Sequence, residues 1–187
     1  GVIIVSRARS SAQFPARFSM LCAMNPCACG NLGSQTKACI CSQHEILKYR
    51  RKISGPIADR IDLWIEVPQI EHIKLSDEKI FSEPSALIQE RVAQANQIQK
   101  KRFPVRGRHS ILNNASMSVR DLKTFAPLSE NVKRILNQAA SRLDLSSRAY
   151  HRVIKLARTI ADLARTENIS ENHILEALQY SPKQESY

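Results

Sequence analysis

Leu145-Ser146-Ser147-Arg148-Ala149-Tyr150-His151-Arg152-Val153-Ile154-Lys155-Leu156-Ala157-Arg158-Thr159-Ile160-Ala161-Asp162-Leu163 is the stretch from which the fold reads outward. Ala149, Val153, Leu156, Ile160 and Leu163 recur every three or four residues, the spacing that lines apolar side chains along one stripe of an α-helix. Ser146 and Ser147 stand just ahead of the stripe, where a hydroxyl can accept from the first free amides. Arg148, Arg152, Lys155 and Arg158 fall on the other faces, so an amphipathic helix with a basic, solvated side is expected.

The neighbouring segments repeat this pattern. Ser170 caps a following helix expected to bury Ile174, Leu175 and Leu178. Ser129 opens a preceding one with Val132, Ile135, Leu136, Ala139 and Leu143 on one face. Ser118 and Asp121 have capping-box spacing for a shorter helix. Further upstream, Pro84 suits the first position of a helix marked by Ile88, Val92, Ala95 and Gln99. That helix runs into Lys100-Lys101-Arg102-Phe103-Pro104-Val105-Arg106-Gly107-Arg108, which reads as a basic linker.

The first 70 residues have a different character. Residues 2–5 and 18–24 are continuous apolar runs, the second ending at Asn25-Pro26, and residues 61–67 alternate until Pro68. Each has the length and composition of a strand, and Cys22 is expected in the core. The expected fold is therefore an α/β part with few strands, then an all-α bundle, mainly helical overall.

With 187 residues, 43% of them hydrophobic, the chain can bury a core. No apolar run approaches the roughly 18 residues of a membrane span, and the start lacks a secretory h-region, which predicts a soluble, cytoplasmic protein without membrane partners. The formal charge of +11 favours a polyanion such as DNA. It is unevenly spread: residues 1–60 carry +7, residues 61–90 carry −5 and residues 91–187 carry +9, so two basic regions flank an acidic one.

Four of the five cysteines make two C-x-C pairs, Cys27/Cys29 and Cys39/Cys41, in a loop rich in small and polar residues. Four thiolates from two knuckles can close a tetrahedral structural Zn²⁺ site. The alternatives are reduced thiols or, in an oxidising compartment, disulfides.

Three segments carry a family resemblance. Residues 14–30, with Phe14-Pro15-Ala16-Arg17-Phe18 and Asn25-Pro26-Cys27, residues 49–63, with Gly55-Pro56-Ile57-Ala58-Asp59-Arg60, and residues 145–163 resemble, in this order, motifs of magnesium-chelatase-like AAA+ ATPases of the YifB/ComM type. The resemblance implies an AAA+ core with its Cys-rich loop at 26–42 over residues 1–102, a linker at 103–117 and a helical lid at 118–187. It implies sensor 1 at Asn25, whose amide can both donate and accept near an attacking water. By itself Asn25-Pro26 is a common turn signal. It implies an arginine finger at Arg60, a fixed, planar charge suited to phosphoryl transfer; the plain alternative is a surface pair with Asp59. Arg148 matches sensor 2 at the first turn of the lid helix, a phosphate-binding position. Arg7 and Arg9 fall in the hairpin that lines the pore in related motors, as candidates for DNA contact or simply as exposed strand-end charges.

No glycine is followed by lysine, so the P-loop G-x-x-x-x-G-K-[ST] is absent, and no strand ends in an acidic pair for Mg²⁺. The chain reads as a C-terminal piece beginning within a β-hairpin, inactive as an ATPase alone. The parent implied is an ATP- and Mg²⁺-dependent ring motor, commonly a hexamer, acting on DNA as in branch migration during natural transformation. Rival readings are a non-enzymatic zinc-bearing nucleic-acid-binding module and a magnesium-chelatase motor subunit.

Overall fold

The computed structural model describes residues 2–7, 10–16, 18–68, 70, 83–103, 111 and 113–182. It is mainly helical, as expected. The chain divides into two compact units, Gly1–Tyr49 and Arg50–Tyr187. No helix among the described residues is long and apolar enough to cross a membrane.

In the first unit β1 (Val2–Arg7) pairs antiparallel with β2 (Ser10–Pro15), in a register running from Val2 opposite Pro15 to Arg7 opposite Ser10. Val2, Ile3, Ile4, Val5 and Phe14 stay exposed, so this hairpin is apolar without being a core. The run at 18–24 is not a strand, and Leu21 is 99% exposed. Cys22, expected inside, is also exposed. The reason is pairing: a strand needs a neighbour to take its backbone donors and acceptors, and among the described residues the one sheet is β1 with β2. After the cysteine loop, α1 (Gln43–Arg50) begins at a capping box in which Glu45 Oε2 accepts from the Ser42 N–H at 2.8 Å and Ser42 Oγ accepts from the Glu45 N–H at 3.3 Å.

The second unit holds the core. The short α2 (Gly55–Ala58) leads to an extended stretch, then α3 (Ser85–Arg102), a 3₁₀ turn (Asn114–Ser116), α4 (Val119–Phe125), α5 (Glu130–Arg142), α6 (Ser147–Leu163) and α7 (Glu171–Gln179). The expected caps operate: Ser118 and Asp121 form a capping box, Ser129 accepts from Val132 N–H, and Ser146 accepts from Ala149 N–H. At α7 the Ser170 N–H is taken by His173 Nδ1 at 3.1 Å. Leu136, Val153, Ala157, Ala161 and Ile174 meet at the centre, with Phe103 and Met117 packed against them. Leu175, expected to be buried, is 48% exposed because Ile174 and Ala177 already face the core.

Residues 61–67 are extended without a ladder; Trp64 N–H instead bonds Tyr180 O at 3.0 Å. Helices α5 and α6 end on Asp144 and Arg165, both at positive φ (46° and 58°), with Leu145 N–H closing on Ala140 O and Thr166 N–H on Ala161 O. These are left-handed helix stops without glycine, so no glycine in the sequence marks them.

A polar cluster crosses this core. Asp162, 1% exposed, accepts from Arg102 Nη1 at 2.7 Å, from Arg102 Nη2, from Asn114 Nδ2 at 2.8 Å and from Arg158 Nε at 3.1 Å. Asn114 N–H is in turn held by Gln99 Oε1 at 3.0 Å. Arg158, expected on a solvated face, is 2% exposed and also donates to the Thr166 and Glu167 carbonyls. The cluster ties α3, the 3₁₀ turn and α6 together.

Candidate functional site

The first turns of α6 stand beside the segment that follows α2. Ser146 Oγ donates to Asp59 Oδ2 at 3.0 Å while capping α6. Arg152 Nη1 donates to two backbone carbonyls, Asp59 O at 2.8 Å and Ile61 O at 2.9 Å. Between those carbonyls sits Arg60, exposed, its Nη1 donating to Pro56 O at 2.6 Å. Arg60 and Arg148, 88 positions apart in sequence, thus line a single open cleft of about 610 Å³ together with Arg152, Lys155, His151 and Asp62.

The cleft is positive, with four fixed or basic charges against one carboxylate. Arg152 was expected on the solvated side of the helix; it is 8% exposed. Burial, and then the like charge of Arg148, pull its pKa down, while Asp62 and Asp59 pull it up; a guanidinium stays charged throughout. Lys155, braced by Ala115 O at 2.9 Å, is likewise lowered first by burial.

In the other unit Cys27, Cys29, Cys39 and Cys41 converge, all four Sγ atoms lying within 4.8 Å of one another. Three separations are 3.4, 3.6 and 3.7 Å. A tetrahedron with Zn–S bonds of about 2.3 Å has edges of about 3.8 Å, so the thiols fit that ion. Backbone N–H groups of Asn31 and Ile40 point at Cys29 Sγ and hold its pKa down to about 6. Cys39, although the Cys41 N–H bonds its sulfur, is pushed up to about 12 by burial and by its neighbouring thiols. The turn needs Gly30, which sits at φ +81° and donates its N–H to Cys27 O at 3.1 Å. A side chain at Gly30 would meet the Asn25 amide at 3.7 Å, so Asn25 lies against the first cysteine knuckle.

Two sequence profiles match the chain: magnesium chelatase, subunit ChlI, over residues 1–75, and magnesium chelatase, subunit ChlI C-terminal, over residues 82–181. The chain belongs to the magnesium chelatase ChlI family. Among relatives, it is 39% identical over 181 residues to the competence protein ComM of Haemophilus influenzae. It is 34% identical over 181 residues to the YifB proteins of Salmonella typhimurium and Escherichia coli. Each match takes in 96% of this chain and 34% of the relative, so the chain spans about a third of the length of these relatives.

In this chelatase-family chain the structure brings Arg60 to Arg148, and the four cysteines to each other. Asn25 belongs to the first unit and the cleft to the second. Arg7 closes the hairpin opposite Ser10, and Arg9 lies outside the described residues. From the sequence, Arg152 and Lys155 read as part of the basic helix side and Asp59 as a surface partner of Arg60, not as residues of the site. The signal was present: Arg148, Arg152 and Lys155 follow i, i+4, i+7 and share one helix face.

Proposed function

We propose that this chain is the nucleotide-responding part of an ATP- and Mg²⁺-dependent AAA+ ring motor acting on DNA, with Asn25 as sensor 1, Arg60 as arginine finger and Arg148 as sensor 2. The observation that carries the reading is the shared cleft. Two arginines from distant parts of the chain converge there, and guanidinium pairs are suited to the charge that spreads over a phosphoryl group in transfer. When bound, ATP supplies the phosphoryl group, and the P-loop that cradles it would come from outside these residues. Because one cleft presents both arginines, both would address the same phosphate tail, bound by a neighbouring copy in the ring. Arg60 and Arg148 then bind and orient its oxygens, and Ser146, Arg152 and Asp59 fix the angle between lid and finger segment.

Support for DNA as the partner comes from the +11 charge, the exposed strand β1 that ends on Arg7, and a relative named as a competence protein. A ring, commonly a hexamer in related motors, is implied by a finger that works on a neighbour. A lid that only braces the fold would not need Arg148. In the full-length protein, Arg148→Ala is expected to slow hydrolysis by about 10²-fold with little change in stability. An unchanged hydrolysis rate would remove Arg148 from the chemistry. DNA binding that ignores nucleotide altogether would favour a purely binding module.

Cys27, Cys29, Cys39 and Cys41 would hold Zn²⁺ as a structural cross-link, giving the loop beside Asn25 a fixed shape. Elemental analysis of the purified chain is expected to find about one zinc per chain. Cys39→Ser should lose most of it and expose the loop to protease. Full zinc content in that variant would contradict the assignment.

A further inference from the structure

Arg152 has a donor that the fold leaves unused. Its Nη1 is spent on the carbonyls of Asp59 and Ile61, the two residues flanking Arg60. Its Nη2 is buried and has no acceptor among the described residues, although the side chain lines the same cleft as Arg60 and Arg148. A buried guanidinium with unspent N–H groups is costly, and the group that best satisfies it is an oxyanion. Arg148 lies one helical turn before Arg152 and Lys155 nearly one turn after, so three cations face the cleft from α6 and Arg60 faces it from the segment they grip. Asp62 is the carboxylate that lines the cleft with them.

We infer that Arg152 is a further phosphate ligand of this cleft and, through its grip on both sides of Arg60, the residue that positions the arginine finger. The inference rests on the phosphate reading of the cleft and deepens it: the ligand is a polyphosphate tail that Arg152 contacts from below while Arg60 and Arg148 contact it from the rim. A single guanidinium then joins ligand, finger backbone and lid helix, so occupancy of the cleft is felt by all three.

The test uses the chain with ¹⁵N-labelled arginines and inorganic tripolyphosphate as probe, following the guanidinium N–H signals by NMR at constant ionic strength. The expected result is saturable binding in which the Arg152 signals shift together with those of Arg60 and Arg148. Arg152→Lys, which keeps the charge but cannot span two carbonyls and a phosphate, is expected to weaken the probe about tenfold or more. If Arg60 and Arg148 respond while the Arg152 signals stay still, Arg152 is a brace only and this inference fails, with the phosphate reading intact. If none of the three responds saturably, the phosphate reading and the inference fall together.

Discussion

Replacing Arg60 with alanine in the full-length protein is expected to lower ATP hydrolysis by about 10³-fold or more while leaving nucleotide affinity nearly unchanged. The expectation follows from where Arg60 sits. It is exposed, and among the described residues its side-chain hydrogen bond is to Pro56 O, so its loss removes no core contact there. Its backbone, by contrast, is fixed, because Arg152 holds the carbonyls on both sides. A charge held in place but not used for folding is suited to stabilising charge that develops only during phosphoryl transfer, and such a contribution appears in kcat and not in binding. Phosphate release by the full-length protein, measured beside nucleotide binding, separates the two. Equal loss of binding and rate would mean that Arg60 holds the ground state, and full activity of Arg60→Lys would show that charge alone suffices, against a finger that needs a planar fork.

Asp162→Ala is expected to cost the second unit about 3–5 kcal/mol, a large part of the stability of a typical domain. The carboxylate is buried and accepts from Arg102, Arg158 and Asn114, so its removal strands two guanidiniums, one of them 2% exposed, without their counter-charge. Asp162→Asn keeps the shape and part of the bonding but not the charge, and should fall between. Urea unfolding followed by the fluorescence of Trp64, the sole tryptophan, reports on this unit. A loss below about 1 kcal/mol would show that water reaches the cluster and solvates the arginines, as at surface ion pairs.

The helical part was legible because its cues are local. Ser118, Ser129 and Ser146 cap where their spacing from the following amides predicts, and the stripe through Ala149, Val153 and Ile160 turns inward as its period requires. The cysteine pairs were legible for the same reason, since nine intervening residues suffice to fold one knuckle onto the other. The runs at 18–24 and 61–67 misled because a strand is a relation between segments: apolar composition announces the capacity to pair and says nothing of the partner.

Arg152 and Arg158 show the limit from the other side. Both have the composition of a solvated helix face, and both are buried, because an arginine is admitted to an interior wherever the fold brings acceptors to meet it. Those acceptors are Asp59 O and Ile61 O for Arg152, 93 and 91 positions away, and for Arg158 the carbonyls past the end of α6. The sequence alone determined the helices, their caps, the cysteine centre and the family. Which arginines are buried, and that Arg60, Arg148 and Arg152 share one cleft, was decided only by tertiary structure, because burial of a charge depends on partners brought near by folding and not on the residues beside it in the chain.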